Sequence, residues 1–399
     1  MTFFAPRLDR ITLSASNAAT ARVRELRAEG RSIVDLTIGQ PDFETPPHVK
    51  RAVAEALARN ETRYPPIDGV RELKAAARLK FQRENGLDYR TDQIMVGTGT
   101  KQLLFNAMMA TVGPGDEVII PAPYWISYLD MVLVADGNPV VVPCGPEVAF
   151  KITPAALEAA ITPRTKWLLI NSPCNPTGAV YSPAELKALS EVLLRHPQVW
   201  VMSDDVYEHL TLDDNEFATM AQVEPKLYER TLTINGVSKA YAMTGFRLGY
   251  CGGPQPLIRA LVKMQSQSTA GVCSISQWAA VEALTGPQEF IKDRAASFQA
   301  RRDRVLELLE DVPGLSAHKP EGAFYLFVHC GGLIGRRTPQ GNEIASEQDL
   351  VLYLLEAGVA VVVGAAYGMS PYFRMSIATD MASLEEACHR VRGAVAALH

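Results

Sequence analysis

Residues 94–120 read IMVGTGTKQLLFNAMMATVGPGDEVII, in which a helical pattern lies between two short apolar runs. The runs at 94–96 and 118–120 predict strands, and the apolar spacing over 101–110 predicts a helix. The alternation continues with a predicted helix over 124–134 and predicted strands at 140–142, 167–170, 199–202 and 231–234. Because these strands are apolar at consecutive positions, we expect helices to cover both faces of their sheet. The sequence therefore predicts an α/β fold with a mostly parallel central sheet.

The pattern changes after about Gly286. A long charged helix is predicted over 287–310, followed by a strand at 324–328, a helix near 347–357 and a strand at 359–363. Residues 331–346, rich in Gly, Arg and polar side chains, predict an exposed excursion. These elements predict a smaller α+β domain that closes on the large one.

Composition excludes several classes of protein. The 399 residues are 47% hydrophobic and carry a net charge of −5, so the chain offers no basic field for a nucleic acid. The first ten residues lack the apolar run of a signal peptide, and no window is apolar enough for a membrane helix, which predicts a cytoplasmic protein. The six cysteines lie far apart without a CxxC pair. We therefore expect neither a disulfide framework nor a metal site.

Two loops follow predicted strands and carry residues suited to ligand binding. Residues 97–101, GTGTK, open a helix, so their backbone N–H groups can hold a phosphate. A dinucleotide fingerprint would need a glycine where Gln102 stands, and a plain tight turn is the alternative. Residues 171–178, NSPCNPTG, predict a rigid loop that presents Asn175 at the carboxyl end of a strand, where open α/β sheets bind ligands. The alternative is a proline-stiffened turn capped by Asn171.

A carboxylate and a lysine stand out further along the chain. Asp204 follows an apolar strand and is costly to bury unless it meets a cation, whereas Asp205 is interpreted as a solvated neighbour or a helix cap. Within residues 235–250, NGVSKAYAMTGFRLGY, Lys239 lies among small and apolar residues, and Arg247 follows eight positions later. This setting favours an amine held in a pocket. A snorkelling lysine and a structural arginine are the alternative.

In this order, the motifs resemble the class I aminotransferases among the fold-type I pyridoxal-phosphate enzymes, especially the bacterial aspartate aminotransferase subgroup. The similarity runs over almost the whole chain, through residues 39–43 (GQPDF), Tyr64, 175–178 (NPTG), 203–210 (SDDVYEHL), 238–250 (SKAYAMTGFRLGY) and 373–374 (FR). The resemblance implies pyridoxal 5′-phosphate as cofactor and a homodimer with shared active sites. It also implies a large cofactor-binding domain of residues 48–285 and a small domain of residues 1–47 and 286–399.

The resemblance also assigns roles to single residues. Lys239 corresponds to the lysine that carries the cofactor and moves the reacting proton, and Asp204 to the acid that keeps the pyridine nitrogen protonated. Asn175 and Tyr207 correspond to the pair that hydrogen-bonds the phenolic oxygen, and Trp125 to the ring stacked on the pyridine. The residues implied to hold the phosphate are Gly99, Thr100, Ser238, Arg247 and, from the neighbouring subunit, Tyr64.

Substrate contacts are implied in the same way. Arg374 corresponds to the arginine that grips the α-carboxylate, and Gly39 lets the backbone approach that group. Lys101 corresponds to a lysine associated with the distal carboxylate of the substrate, with a solvent-facing lysine as the alternative. A cation there opposes the helix dipole by about 0.3–1 kcal/mol, so a negative partner is expected nearby. Trp125 and Asn175 complete the implied substrate contacts.

The leading prediction is reversible amino transfer from L-aspartate to 2-oxoglutarate, giving oxaloacetate and L-glutamate by a ping-pong mechanism. Subgroup members that use prephenate typically carry Lys-Pro-Ser-x-Thr near the N-terminus, whereas residues 12–16 here read TLSAS. This difference puts prephenate in doubt and leaves an aromatic or broad-range aminotransferase as the main alternative.

More distant alternatives come from other classes. A pyridoxal-phosphate lyase or synthase would share the scaffold. A non-catalytic regulator would need a DNA-reading module, for which we expect no room before Gly39. A nicotinamide dehydrogenase has little support because the glycine pattern at Gly97 is incomplete.

Overall fold

Helices dominate the part of the chain that precedes the central sheet. The computed structural model describes residues 3–13 and 15–399, apart from the side chain of Ser16. The first elements are a 3₁₀-helix (Pro6–Arg10), α1 (Ala15–Ala28), β1 (Val34–Asp35), α2 (Pro47–Ala58) and α3 (Arg71–Asn85). α3 ends where Gly86 adopts a left-handed φ of 63°, a conformation that glycine reaches without strain. Val49 of α2 and Phe81 of α3 are buried in a common core with residues of the sheet.

A seven-stranded sheet occupies residues 94–252. Its strands and the intervening helices are β2 (Ile94–Gly97), α4 (Gly99–Thr111), β3 (Glu117–Ala122), α5 (Ser127–Val134), β4 (Asn138–Pro143), α6 (Pro154–Ala160), β5 (Thr165–Asn171), α7 (Pro183–Arg195), β6 (Trp200–Asp204), α8 (Met220–Val223), β7 (Thr231–Gly236) and β8 (Gly249–Gly252). The order across the sheet is β2-β8-β7-β6-β5-β3-β4, and β8 runs antiparallel to both of its neighbours, β2 and β7. The predicted α/β fold with a mostly parallel sheet is confirmed.

Both faces of this sheet are covered. In β3, Ile119 packs into one core, while Val118 and Ile120 on the opposite face pack into another. This arrangement explains why the central strands are apolar at consecutive positions. The edge strand β4 differs, because it has a neighbour on one side only, and its Val141 is 36% exposed.

α7 illustrates how local sequence sets an element. Ser182 accepts a hydrogen bond from the N–H of Glu185, and the Glu185 carboxylate accepts one from the N–H of Ser182. This capping box, with Pro183 at the first helical position, fixes the start of the helix.

The remaining elements are two helices, α9 (Gln255–Ser266) and α10 (Ser274–Thr285), that pack in the cores of the large sheet, followed by a smaller sheet and its helices. The latter elements are α11 (Phe290–Glu310), β9 (Ser316–Ala317), β10 (Tyr325–His329), α12 (Glu347–Glu356), β11 (Val359–Ala360), β12 (Val362–Val363), β13 (Tyr372–Ser376) and α13 (Met381–Ala396). β12, β13, β10 and β9 form an antiparallel sheet in that order, and β11 pairs with β1 in parallel. No described helix is long and apolar enough to cross a membrane.

One prediction for this region was wrong, and another holds for most of its residues. The single strand expected at 359–363 is two strands that belong to different sheets, because β11 pairs with β1 and β12 pairs with β13. The stretch 331–346 is exposed over most of its length, as predicted, although Leu333 and Ile344 are buried in the core. The boundary drawn between residues 285 and 286 stays a prediction.

Candidate active site

A cavity of about 350 Å³ lies where the carboxyl ends of β5 and β6 meet β10 and β13. It collects residues from distant parts of the chain, from Gly39 to Arg374. Of the predicted site residues, all but Gly99 and Tyr64 line it: Gly39, Thr100, Lys101, Trp125, Asn175, Asp204, Tyr207, Ser238, Lys239, Arg247 and Arg374.

The amine of Lys239 lies inside this cavity. Its Nζ donates a hydrogen bond to the carbonyl oxygen of Gly39 at 2.6 Å and lies 5.4 Å from the centre of the Tyr207 ring. Burial, reinforced by the positive charges of Arg374 and Arg247, lowers the pKa of Lys239 to about 7, and Asp204 opposes this shift. A substantial fraction of the amine is therefore neutral near pH 7, as a nucleophile requires.

Asp204 presents a carboxylate with one committed and one open oxygen. The Tyr128 hydroxyl donates to Oδ2 at 2.6 Å, whereas the buried Oδ1 has no hydrogen-bond partner among the described residues. Burial raises the pKa of Asp204 to about 6, against the Tyr128 hydroxyl, the N–H of Val206 and the charge of Lys239. The open oxygen suits a cationic donor placed in the cavity.

The interpretation of Asp205 as a solvated or capping residue was wrong. Asp205 is 1% exposed and accepts a hydrogen bond from the Ser203 hydroxyl at 2.7 Å. Burial raises its pKa to about 7. Asp205 lies directly after β6 and is covered by other parts of the chain. The residue types alone did not indicate this burial.

The loop after β5 is tied to β6 through Asn171. The Asn171 amide donates to the carbonyl oxygen of Asp204 at 2.8 Å, and its Oδ1 accepts from the N–H of Asn175 at 3.0 Å. Asn171 thus acts as more than a turn cap, because it fixes Asn175 relative to the Asp204 carboxylate.

Arg374 lines the same cavity and is held there by two hydrogen bonds and two aromatic rings. Its Nη1 donates to Oδ1 of Asn175 at 3.0 Å and its Nη2 to the carbonyl oxygen of Thr37 at 2.6 Å. The guanidinium lies 4.4 Å from the centre of the Tyr325 ring and 5.2 Å from that of Tyr367. Its buried Nε has no partner among the described residues, so a donor remains for a carboxylate in the cavity.

Glycines bring an arginine up to the start of α4. Gly99 has a φ of 76°, and a Cβ there would lie 2.6 Å from Nη2 of Arg247. A Cβ on Gly249 would lie 2.6 Å from the backbone nitrogen of Thr100. Free N–H groups at a helix start, a guanidinium and the Ser238 hydroxyl make this corner suitable for a phosphate.

Lys101 and Trp125 lie at the mouth of the cavity. The Lys101 Nζ is 5.0 Å from the centre of the Trp125 ring. The Lys101 side chain is exposed and nevertheless lines the cavity, and partial burial together with Arg247 lowers its pKa. The predicted contact of Lys101 with a distal carboxylate stays a prediction.

A second cavity of about 630 Å³ adjoins the first and shares Lys101 with it. Its apolar lining includes Leu13, Phe105, Met131 and Val134. Of the stretch 12–16, Ser14 lies outside the described residues, as does the side chain of Ser16.

Tyr64 is not brought to the cavity within one chain. Its side chain is 97% exposed, and its predicted role toward a neighbouring subunit stays a prediction. The sequence analysis missed several cavity residues, among them Tyr128 and Tyr325. Tyr128 follows Trp125 by three residues, one turn along the predicted helix, which is a signal that could have found it. Tyr325 lies within an apolar strand, and nothing in its local sequence distinguishes it from core.

One further polar group lies outside the cavity. Glu84, Glu208 and His209 approach each other closely enough to share an ion. However, the buried Lys80 forms an ion pair with Glu208 and donates to Asn85 at 2.8 Å. An internal cation thus occupies the place that a metal would take.

Comparisons with known proteins agree with the chemistry that the cavity residues suggest. A family model described as aminotransferase class I and II matches residues 31–391. The chain is 55% identical to the aspartate/prephenate aminotransferase of Cereibacter sphaeroides over 399 residues, all of both chains. It is similar to the crystal structure of the aspartate aminotransferase from Rhizobium meliloti, with a TM-score of 0.97 and 53% identity over 100% of both chains. An aspartate aminotransferase from Thermus thermophilus solved with maleate has a TM-score of 0.92 and 41% identity, covering 99% of this chain and 100% of that one.

Proposed function

Because the chain belongs to the class I and II aminotransferases, we propose that it exchanges an amino group between L-aspartate and 2-oxoglutarate. Family membership confirms the resemblance predicted from the motifs, and pyridoxal 5′-phosphate is the cofactor of this family. The observation that carries the proposal is the placement of the Lys239 amine in one cavity with the open oxygen of Asp204 and the free Nε of Arg374.

The cavity residues fit this cofactor. The buried Oδ1 of Asp204 is an acceptor for a protonated pyridine nitrogen, and the corner formed by Gly99, Thr100 and Arg247 is suitable for a phosphate dianion. Tyr207 and Asn175 line the same cavity and are the proposed partners of the phenolic oxygen. When bound, the cofactor supplies an electron sink for the pair of electrons left when the substrate loses its Cα proton.

The chain's own residues then bind the reactants and move protons. Lys239 has a pKa near the working pH, so its Nζ can both accept the Cα proton and return it. Asp204 stays ionised when a cation faces its Oδ1, because an opposite charge favours the charged form of the acid. Trp125 is proposed to cover one face of the ring and keep water from it.

Substrate binding is proposed to use three cations and one backbone segment. Arg374 would hold the α-carboxylate through its Nε and guanidinium edge, beside the backbone at Gly39. Lys101 at the cavity mouth would meet the distal carboxylate, and Arg247 adds positive potential there. Cations at both ends of the cavity favour a dicarboxylic substrate.

Steady-state kinetics of Lys101→Gln test the substrate proposal. Since the variant loses one charged hydrogen bond, kcat/KM for aspartate should fall roughly 10- to 100-fold, while kcat/KM for phenylalanine should change little. The exposed Lys263 on α9 provides a matched control, and Lys263→Gln should leave both values unchanged. An equal loss for aspartate and phenylalanine in Lys101→Gln would argue against contact with the distal carboxylate.

An aromatic or prephenate aminotransferase is the second candidate. The apolar cavity next to Lys101 favours it, because Leu13, Phe105 and Met131 could receive a ring that aspartate lacks. The related protein of Cereibacter sphaeroides is named for both aspartate and prephenate. Comparing kcat/KM for aspartate, phenylalanine, tyrosine and prephenate decides between the candidates.

We also propose a cytoplasmic homodimer with shared active sites. Tyr64 is 97% exposed and Leu13 is 91% exposed in the single chain, as expected of side chains that meet a partner. The seven-stranded sheet lies within residues 94–252, whereas the four-stranded sheet and the β1–β11 pair use strands from residues 34–35 and 316–376. This separation supports the division into residues 48–285 and residues 1–47 with 286–399. Sedimentation analysis of the purified protein tests the dimer.

A further inference from the structure

Tyr325 contacts three separate parts of the cavity. It lies in β10, is 1% exposed, and its ring supports the Arg374 guanidinium at 4.4 Å. Its hydroxyl is 2.9 Å from the Tyr207 hydroxyl. The same hydroxyl would lie 2.8 Å from a Cβ on Gly39, whose other contact within 4 Å is also an atom of Tyr325.

The two halves of this side chain face different chemistry. The ring lies under the group proposed to bind the substrate carboxylate, and its face attracts a cation in a desolvated site. The hydroxyl can exchange a hydrogen bond with Tyr207, which is proposed to donate to the phenolic oxygen of the cofactor. If Tyr325 donates to Tyr207, the Tyr207 proton is left for the cofactor.

We propose that Tyr325 is a positioning residue that acts on the cofactor through Tyr207 and on the substrate carboxylate through Arg374 and Gly39. The hydroxyl orients Tyr207 and restricts position 39 to glycine, and the ring holds the guanidinium in place. This inference rests on the proposed function. It gives Tyr325 a role toward the cofactor and the substrate, which a tyrosine that only packs in the core would not have.

Tyr325→Phe tests the hydroxyl alone. In this variant Tyr207 donates a weaker hydrogen bond to the phenolic oxygen of the cofactor. That oxygen then holds more strongly the proton that it shares with the nitrogen linking the cofactor to Lys239. The visible absorption band of the holoenzyme should therefore titrate about 0.5 to 1 pH unit higher than in the wild type, the size expected for one neutral hydrogen bond. KM for aspartate should stay within about twofold, because the ring under Arg374 remains.

Tyr325→Leu tests the ring. It should raise KM for aspartate about tenfold in addition to the spectral shift, because the guanidinium loses its support. Circular dichroism and thermal unfolding of both variants show whether they are folded. A spectral midpoint in Tyr325→Phe equal to that of the wild type would overturn the proposed link to Tyr207.

A double-variant cycle with Gly39 tests the steric part. Gly39→Ala should raise KM for aspartate about tenfold, and adding Tyr325→Phe should restore it, since among the described residues the Tyr325 hydroxyl is the one close contact of the new methyl group. Additive effects of the two changes would contradict the inference. If the wild-type protein itself forms no visible band with pyridoxal phosphate, the proposed function fails, whereas a normal band that Tyr325→Phe leaves unmoved rejects only this inference.

Discussion

Replacing Lys239 by methionine should stabilise the cofactor-free protein near neutral pH. The pKa of this lysine is about 7 in the folded chain against an ordinary value of 10.5. The folded state therefore binds the proton more weakly, and stability is lost as the pH falls from 10.5 toward 7. This linkage costs about 4 kcal/mol at pH 7 and about 1.5 kcal/mol at pH 9.5, using 1.36 kcal/mol per pKa unit.

Methionine fills a similar volume without a charge, but it forfeits the hydrogen bond to Gly39, which contributes about 1 kcal/mol. Lys239→Met should thus be more stable than the wild type by about 3 kcal/mol at pH 7 and nearly equal to it at pH 9.5. For a chain of 399 residues, this difference corresponds to a Tm roughly 3 to 4 °C higher at pH 7.

Thermal unfolding of both cofactor-free proteins at the two pH values, at one protein concentration, measures the effect. Lys80→Met is the matched control, because Lys80 is also buried but is paired with Glu208. That variant should lose about 3 to 5 kcal/mol, since the buried Glu208 carboxylate loses its lysine cation. A Lys239→Met protein whose Tm difference from the wild type is the same at pH 7 and pH 9.5 would refute the reasoning.

Three further predictions concern the cofactor. In the folded, cofactor-free wild type the pKa of Asp204 is raised from 3.8 to about 6, so the stability of the protein should fall as the pH rises from about 4 to 6. Asp204→Asn should lack this trend in pH-dependent denaturation. The same variant should bind pyridoxal phosphate at least about 100-fold more weakly. Tyr128→Phe removes the donor to Oδ2 and should raise the Asp204 pKa further, by roughly 1 to 2 units, so that cofactor affinity measured by fluorescence falls more at pH 6 than at pH 8. Tyr64→Phe should weaken cofactor binding about tenfold without changing the sedimentation coefficient of the dimer; unchanged affinity would remove Tyr64 from the phosphate site.

Much of the cavity was predictable because its residues lie in short local motifs at strand ends. Asp204 ends the apolar strand β6, and Asn175 lies in the loop that follows β5. The carboxyl ends of these parallel strands meet at one edge of the sheet. Lys239 lies in a segment of small and apolar residues that indicates a pocket. These signals can be recognised in the sequence alone, without knowledge of contacts between distant residues.

What was missed depends on contacts between distant residues. Tyr325 meets Tyr207 across 118 positions, and Tyr128 meets Asp204 across 76. The burial of Asp205 depends on which segments cover it, and the division of residues 359–363 depends on two different partner strands. β8 escaped prediction because a strand of four residues with glycine at both ends has weak strand propensity.

The most direct test locates the cofactor on the chain. Purified protein would be incubated with pyridoxal 5′-phosphate, reduced with borohydride, digested with trypsin and analysed by mass spectrometry. The account predicts one modified peptide spanning residues 231–247, uncut at Lys239, and none in Lys239→Met. Specific modification at another lysine, or an unmodified Lys239 in protein that has bound the cofactor, would contradict the account.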